Sequence, residues 1–197
     1  MKNILLLGDS IRQNYQDYVH EQLRNIANVY YPVDNGRFCQ YTLRYLHEWV
    51  HALSGHGEVS FDLVHFNCGL WDILRLSNEE EPFTSEKEYE ILLRRIVNRI
   101  RYLCPEAEII FALTTSVIEP GFEPGINIGE RRNQDIIRYN DIAVRLFDQM
   151  EIEINDLWSV SENLPKEAHS DLVHFETEMG VYALGERVAQ CLMRHCG

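Results

Sequence analysis

Short apolar runs alternate along the whole chain with longer stretches in which hydrophobic residues recur at helical spacing. The apolar runs predict buried strands at residues 3–8, 29–33, 62–67, 108–113 and 151–154. The stretches between them predict helices at residues 13–27, 41–53, 86–103, 133–150 and 178–195. Strands that alternate with helices are typical of a parallel sheet covered on both faces. The pattern therefore predicts an α/β protein, a three-layer α/β/α sandwich around a five-stranded parallel sheet.

The length of 197 residues predicts one domain covering residues 1–197. Sheets of this kind bind ligands in the crevice outside the carboxyl ends of their strands. Two long irregular segments, 114–132 and 157–176, follow strand ends, and loops of this length are usually functional. Phe122, Arg131 and Trp158 lie in these segments, where two interpretations stay open: they line a pocket, or they are packing and solvated residues.

The charge and cysteine content narrow the classes of function. A formal net charge of −13 repels polyphosphates and anionic lipid headgroups, so neither a nucleic-acid nor a membrane partner is predicted. The apolar run at residues 4–7 is too short for a signal peptide or a membrane span, so a cytoplasmic location is expected. Five cysteines without a Cys-x-x-Cys pair predict reduced thiols, with no disulfide framework, no metal and no cofactor.

Gly8-Asp9-Ser10 falls where the first predicted strand ends. At this place the Ser10 hydroxyl would project into the crevice, and its backbone N–H would be available to an oxyanion. The alternative is that Asp9 or Ser10 merely caps the helix that follows.

The segment that contains Asp171 and His174 lies in the last long loop, before the terminal helix. Residues three apart in a turn face the same side, so the Asp171 carboxylate can orient the His174 imidazole as a general base for Ser10. The alternative is a surface aspartate beside a loop histidine. His169 is the nearest rival base, but no acid precedes it at the same spacing.

Two more polar segments follow strand ends. Asp34-Asn35-Gly36-Arg37 follows the second strand, and its glycine can present an N–H to a developing negative charge, although such a string alone is simply a turn. Residues 67–72, from Asn67 to Asp72, leave the third strand, and there Asp72 can be read as a helix cap.

The order Ser, Gly, Asn, Asp-x-x-His resembles the SGNH/GDSL hydrolase superfamily over nearly the whole chain. The runs at residues 35–43 and 65–72 and Tyr139-Asn140-Asp141-Ile142-Ala143 are similar to one bacterial, GDSL-like esterase/lipase branch of it. The resemblance implies a flavodoxin-like sandwich. It also implies that Ser10 is the nucleophile, that Asp171 and His174 complete a triad, and that the N–H groups of Ser10 and Gly36 line the oxyanion hole.

One departure concerns the third block of the superfamily, which usually reads Gly-x-Asn-Asp. Here it reads Gly69-Leu70-Trp71-Asp72, with Trp71 where the oxyanion asparagine is expected. Asn67 lies close enough in sequence to replace that asparagine, and we expect its amide to be the third donor. The alternative is that Asn67 holds the loop at residues 69–72 through hydrogen bonds to backbone.

These residues predict an esterase that acts on a small-molecule ester through an acyl-serine intermediate. Short acyl groups, such as acetyl, on a carbohydrate or another small polar alcohol are the expected substrates. Two alternatives stay open: a catalytically silent glycan-binding domain, and an acyltransferase that uses the same nucleophile. The sequence specifies no oligomeric state.

Overall fold

A computed structural model describes residues 1–119 and 128–197 of the chain. Its central sheet has five strands, in the order β2-β1-β3-β5-β7, and every neighbouring pair is parallel. The sheet strands are β1 (Lys2–Leu7), β2 (Ala27–Tyr30), β3 (Leu63–Phe66), β5 (Glu108–Ala112) and β7 (Glu153–Asn155). A two-stranded antiparallel pair, β4 (Arg75–Leu76) with β6 (Gly129–Glu130), lies apart from this sheet.

The helices form the outer layers of the sandwich. They are α1 (Ser10–Leu23), α2 (Cys39–Leu53), α3 (Glu86–Leu103), α4 (Asn133–Gln149), α5 (Trp158–Glu162) and α6 (Glu178–Met193). Helix α1 packs on α6, whereas α3 packs on both α2 and α4, so the two groups cover opposite faces of the sheet. The predicted α/β/α sandwich with five parallel strands is confirmed.

The centre of the sheet is fully apolar, which explains why β1 reads as a continuous hydrophobic run. Ile4, Leu5, Leu6 and Leu7 have no exposed surface, because β1 is paired on both edges and covered on both faces. The chain runs from β1 to β2 on one side and then crosses to β3 on the other side of β1, so the strand order reverses at β1 and its carboxyl end is the topological switch point of the sheet. The residues after Leu7 therefore enter the crevice where such sheets bind ligands.

Several boundaries differ from the sequence-based expectation. Helix α1 begins at Ser10 and not at residue 13, because the Asp9 side chain accepts the Ile11 N–H and caps the helix there. The segments expected to be irregular contain β6, α5 and a 3₁₀ turn at Lys166–Ala168. Elements of two to five residues are too short to show a hydrophobic period.

Two further expectations can be compared with the structure. All five cysteines are free thiols, and four of them are buried. In the described part of the chain, no helix combines the length and the apolar character needed to cross a lipid bilayer.

Candidate active site

Ser10 lies at the junction of β1 and α1, as the first residue of the helix. Gly8 makes this sharp exit from the sheet possible: a Cβ atom there would lie 1.9 Å from the Asn67 Oδ1 atom. The Asp9 side chain caps the N-terminus of α1, so the Ser10 hydroxyl is available to another partner. Asp9 is therefore the helix cap that the second interpretation expected, and the role of Ser10 as nucleophile stays a prediction.

The structure brings the three predicted residues Ser10, His174 and Asp171 into one hydrogen-bonded chain. His174 Nε2 lies 2.8 Å from Ser10 Oγ, and His174 Nδ1 lies 2.7 Å from Asp171 Oδ2. These contacts fit the tautomer that carries its proton on Nδ1, with Nε2 ready to accept the serine proton. The arrangement can activate a serine nucleophile.

The loop that carries Asp171 and His174, called the acid–base loop below after their predicted roles, is organised by Asp171 itself. Its Oδ1 atom accepts the backbone N–H groups of Val173 at 2.7 Å and His174 at 2.8 Å. Partial burial alone would raise the pKa of Asp171, but the hydrogen bonds from His174 and Val173 outweigh it and lower the pKa. The carboxylate therefore stays ionised beside the imidazole.

Asp9, the residue before Ser10, forms a buried pair with Asn67. Asn67 donates its amide N–H to Asp9 Oδ1 at 2.9 Å, on the same oxygen that accepts the Ile11 N–H. Burial raises the pKa of Asp9, and the bonds from Asn67 and Ile11 oppose this only in part. Asn67 thus positions Asp9 and does not hold the loop at residues 69–72 by its side chain; donation to an oxyanion stays a prediction.

Gly36 requires a correction. Its N–H donates to the Gly8 carbonyl oxygen at 2.8 Å, so it is not free to bind an oxyanion in this structure. The cause is the close approach of the β2–α2 loop to the β1–α1 junction: a Cβ atom on Gly36 would lie 2.7 Å from that same oxygen. The glycine is needed for backbone packing at the site.

Solved structures share this architecture over nearly the whole chain. The lipase/acylhydrolase from Enterococcus faecalis is 17% identical, with a TM-score of 0.76 over 100% of this chain and 98% of that chain. The acetyl xylan esterase AlAXEase is 14% identical, with a TM-score of 0.75 over 96% and 99% of the two chains. A candidate SGNH hydrolase from Slackia heliotrinireducens is 14% identical, with a TM-score of 0.70 over 97% and 98%.

The chain has the SGNH hydrolase fold. No protein-family profile and no curated protein matches the sequence. Identities this low establish the fold and not the activity.

The third block of the SGNH pattern serves packing here. A Cβ atom on Gly69 would lie 2.3 Å from Thr114 Oγ1, so the chain passes very close to the end of β5. Asp72 has no exposed surface and accepts the Cys39 N–H at the start of α2 and the Thr84 hydroxyl. It caps α2 from a distant segment and not a helix that follows it, and burial raises its pKa to about 6.

Arg12 is a site residue that the sequence analysis missed. Its guanidinium has no exposed surface and donates to the carbonyl oxygens of Pro32 at 3.0 Å, Asp34 at 2.6 Å and Gly8 at 3.3 Å. These bonds fix the β2–α2 loop against the β1–α1 junction. Because α1 was expected to begin at residue 13, Arg12 fell outside every predicted helix, and nothing marked it as a buried helix residue.

A polar cavity of about 450 Å³ lies beside the acid–base loop. Trp158, Ser161, Lys166 and His169 line one side of it, and residues 116–119 line the other. The Ile118 N–H donates to the Leu172 carbonyl oxygen at 2.9 Å, which joins this second wall to the loop that carries Asp171 and His174. Trp158 is thus a pocket-lining residue, as one of the two interpretations expected, whereas Phe122 lies outside the described residues.

His169, the rival base, faces a different environment. Its ring packs on Phe175 with a centroid distance of 4.0 Å, and its buried Nδ1 has no hydrogen-bond partner among the described residues. Burial lowers the pKa of His169 and the nearby Asp171 opposes this, so the ring favours its neutral form. Ser10 is bound by His174 and not by His169.

No group of three or more histidine, cysteine, aspartate or glutamate side chains in the described segments is arranged to hold a metal ion.

Proposed function

We propose that the protein is a serine esterase with Ser10 as the nucleophile, His174 as the general base and Asp171 as the residue that orients it. The observation that carries the proposal is the continuous chain of two short contacts, 2.8 Å and 2.7 Å, from the Ser10 hydroxyl through His174 to Asp171. Acyl transfer by a serine requires a nucleophile and a base within hydrogen-bond distance of each other. It also requires a third group that orients the base.

In the first half-reaction, Ser10 Oγ attacks the ester carbonyl carbon while its proton moves to His174 Nε2. The tetrahedral adduct then breaks its bond to the alcohol oxygen, which takes the proton from Nε2 and leaves as the alcohol. In the second half-reaction, a water molecule gives a proton to Nε2 and attacks the acyl carbon. The Ser10 oxygen leaves, takes that proton back, and the carboxylic acid is released.

Two donors can stabilise the negative charge of the tetrahedral adduct. The Ser10 N–H lies at the N-terminus of α1, where the first N–H groups have no acceptor within the helix and the dipole favours an anion. The Asn67 amide uses one N–H for Asp9 and has a second for the oxyanion. We assign both to the oxyanion hole.

The proposed substrates are short acyl esters, such as acetyl esters, of a carbohydrate or another small polar alcohol. The cavity next to the acid–base loop supports a polar substrate, because Trp158 offers an apolar ring there while Lys166 and Glu162 offer charged hydrogen-bonding groups. One protein of the same fold is an acetyl xylan esterase, which is consistent with this choice.

Replacement of Ser10 by alanine tests the proposal. Hydrolysis of 4-nitrophenyl acetate by the Ser10→Ala protein should fall to the level of the buffer, since the acyl acceptor is gone, while the thermal midpoint stays close to that of the parent. Ser60→Ala is the matched control, because Ser60 is an exposed serine outside the site, and it should retain full activity.

A fluorophosphonate probe separates an esterase from a silent glycan-binding domain. Mass spectrometry of the labelled parent protein should find the adduct on the peptide that contains Ser10. Parental turnover by pure Ser10→Ala protein, or a parent that neither turns over an ester nor reacts with the probe, would refute the esterase.

A further inference from the structure

Arg131 is a half-buried cation. Among the described residues, no carboxylate forms an ion pair with it. It lies between β6 and α4, and its one hydrogen bond runs from Nε to the Leu70 carbonyl oxygen at 2.6 Å. Its guanidinium carbon is 5.9 Å from the centre of the Trp71 ring. These two contacts fix the orientation of the guanidinium group. Neither of its terminal nitrogens forms a hydrogen bond with a described residue.

Two buried arginines of the protein, Arg75 and Arg12, instead bind internal acceptors through terminal nitrogens. Arg75 forms a two-bond ion pair with Asp135, at 2.8 Å and 3.0 Å. Arg12 donates to three backbone carbonyl oxygens. Arg131 differs because only its Nε donates to an acceptor among the described residues, which leaves its two terminal nitrogens available to a ligand.

Arg131 is tied to the segment beside Ser10, because its acceptor Leu70 lies three residues after Asn67, whose amide binds Asp9. Burial lowers the pKa of Arg131, and the two carboxylates that raise it are Asp9 and Asp171. Asp9 directly precedes the nucleophile, and Asp171 binds the base. Arg131 is thus within electrostatic range of both carboxylates that flank Ser10, although neither forms an ion pair with it.

We infer that Arg131 is a specificity-determining residue that binds a carboxylate group on the ester substrate. This inference rests on the esterase function proposed above and narrows its substrate class to esters that carry one anionic group. With Nε held by Leu70, the two terminal N–H groups match the two oxygens of a carboxylate. The formal charge of −13 still disfavours polyanions. Salt screens charges beyond about 8 Å, so a single carboxylate bound at Arg131 interacts mainly with the charges near it.

A charge series of acetyl esters tests this inference: 4-acetoxybenzoate is anionic, 4-acetoxybenzamide is neutral, and 4-acetoxyphenyltrimethylammonium is cationic. The parent protein should prefer the anionic ester over the neutral one in kcat/KM by about 10- to 100-fold, the range expected for hydrogen bonds to a charged group. The cationic ester should be the poorest substrate. Arg131→Gln should abolish the preference mainly through a higher KM for 4-acetoxybenzoate, with the neutral ester little changed.

Two variants control for charge and for folding. Arg145→Gln removes the same charge from an exposed position on α4 and should keep the preference. Arg131→Lys keeps the positive charge but replaces the planar guanidinium by an ammonium group, and it should keep part of the preference for the anionic ester. If Arg131→Gln lowers kcat for all three esters equally, or if the parent shows no preference, the carboxylate-binding role is wrong while the esterase stands.

A binding measurement separates failure of this inference from failure of the esterase. Calorimetric titration of the Ser10→Ala protein with 4-hydroxybenzoate and with 4-hydroxybenzamide needs no turnover. Tighter binding of the carboxylate, lost when Arg131→Gln is added, supports recognition even if no ester is hydrolysed. Equal binding of the two phenols overturns it even if hydrolysis is fast.

Discussion

The two sides of the candidate active site are built in opposite ways. On the nucleophile side, the residues next to Ser10 bind distant parts of the chain. Asp9 is bound by Asn67, and Arg12 donates to the β2–α2 loop. On the base side, His174 is oriented by Asp171, three residues earlier, in a loop where the Asp171 side chain is 56% exposed.

Because of this difference, substitutions on the two sides should affect folding stability and activity to different extents. Damage on the nucleophile side leaves buried polar groups without partners, which costs folding free energy as well as activity. Damage on the base side changes a half-exposed contact and should affect activity almost alone. The contrast also explains why one half of the site was easier to predict than the other.

Among the changes that compare the two sides, Asp171→Asn on the base side should have the largest effect. The amide cannot hold the His174 tautomer that accepts the serine proton, so kcat for 4-nitrophenyl acetate should fall by about 10⁴-fold. The urea midpoint should change little, because the side chain is largely in solvent. Steady-state kinetics and urea unfolding of the same preparation check both halves of this expectation.

His169→Ala is the matched control for that change, since His169 is the neighbouring histidine and does not contact Ser10. Its effect on kcat should be mild. A loss as severe as that of Asp171→Asn would mean that the wrong histidine has been assigned as the base.

Asn67→Ala should come next, and it should affect both quantities. Loss of a donor to the oxyanion lowers kcat by about 10²–10³-fold with little change in KM. Loss of the bond to buried Asp9 also lowers the free energy of unfolding, by about 1–3 kcal/mol.

Asn28→Ala, at an exposed amide on β2, is the comparison variant and should leave kcat unchanged. An Asn67→Ala protein that loses stability but keeps its kcat would limit Asn67 to positioning Asp9. One that keeps both would contradict either role.

The smallest expected effects concern pH, and here the two sides should have opposite signs. The pKa of Asp9 is raised by burial, so its native carboxyl keeps a proton that the unfolded chain loses, and its contribution to stability falls as pH rises above about 4. The pKa of Asp171 is lowered, so its contribution is present above about 4 and is lost as pH falls through the native pKa.

Urea unfolding from acid to neutral pH measures these signs against the parent protein. Asp9→Asn should gain relative stability as pH rises, because the amide never has to ionise in the interior. Asp171→Asn should lose a little relative stability over the same range. Parallel curves for the two variants would remove the distinction between the two sides.

The local half of the site could be predicted because its chemistry is encoded within a few residues. Asp171 and His174 are three residues apart, and Ser10 follows a run of four leucine and isoleucine residues that can only be a buried strand. The sheet and its long helices were predictable for the same reason, since each has a hydrophobic period of its own. Helix α3 at Glu86–Leu103 has the bounds that the sequence predicts.

The remaining features depend on contacts between distant segments. The Gly36 N–H was expected to face an oxyanion and instead meets Gly8, and Asp72 was read as a local cap and instead caps α2. Arg12 was missed because its acceptors Pro32 and Asp34 lie 20 and 22 residues away, in the loop after β2. No periodicity or spacing in one sequence specifies such tertiary hydrogen bonds.

The contact between Ser10 and His174 joins residues that are 164 apart in the sequence. His174 lies just before α6, and α6 docks on α1, where Gly185 lies so close to Tyr18 that a Cβ atom would be 2.6 Å from the ring. A chain in which these helices have not docked holds the Ser10 hydroxyl away from the imidazole. Under the proposed function, we therefore expect the reactivity of Ser10 to report that α1 and α6 have folded together.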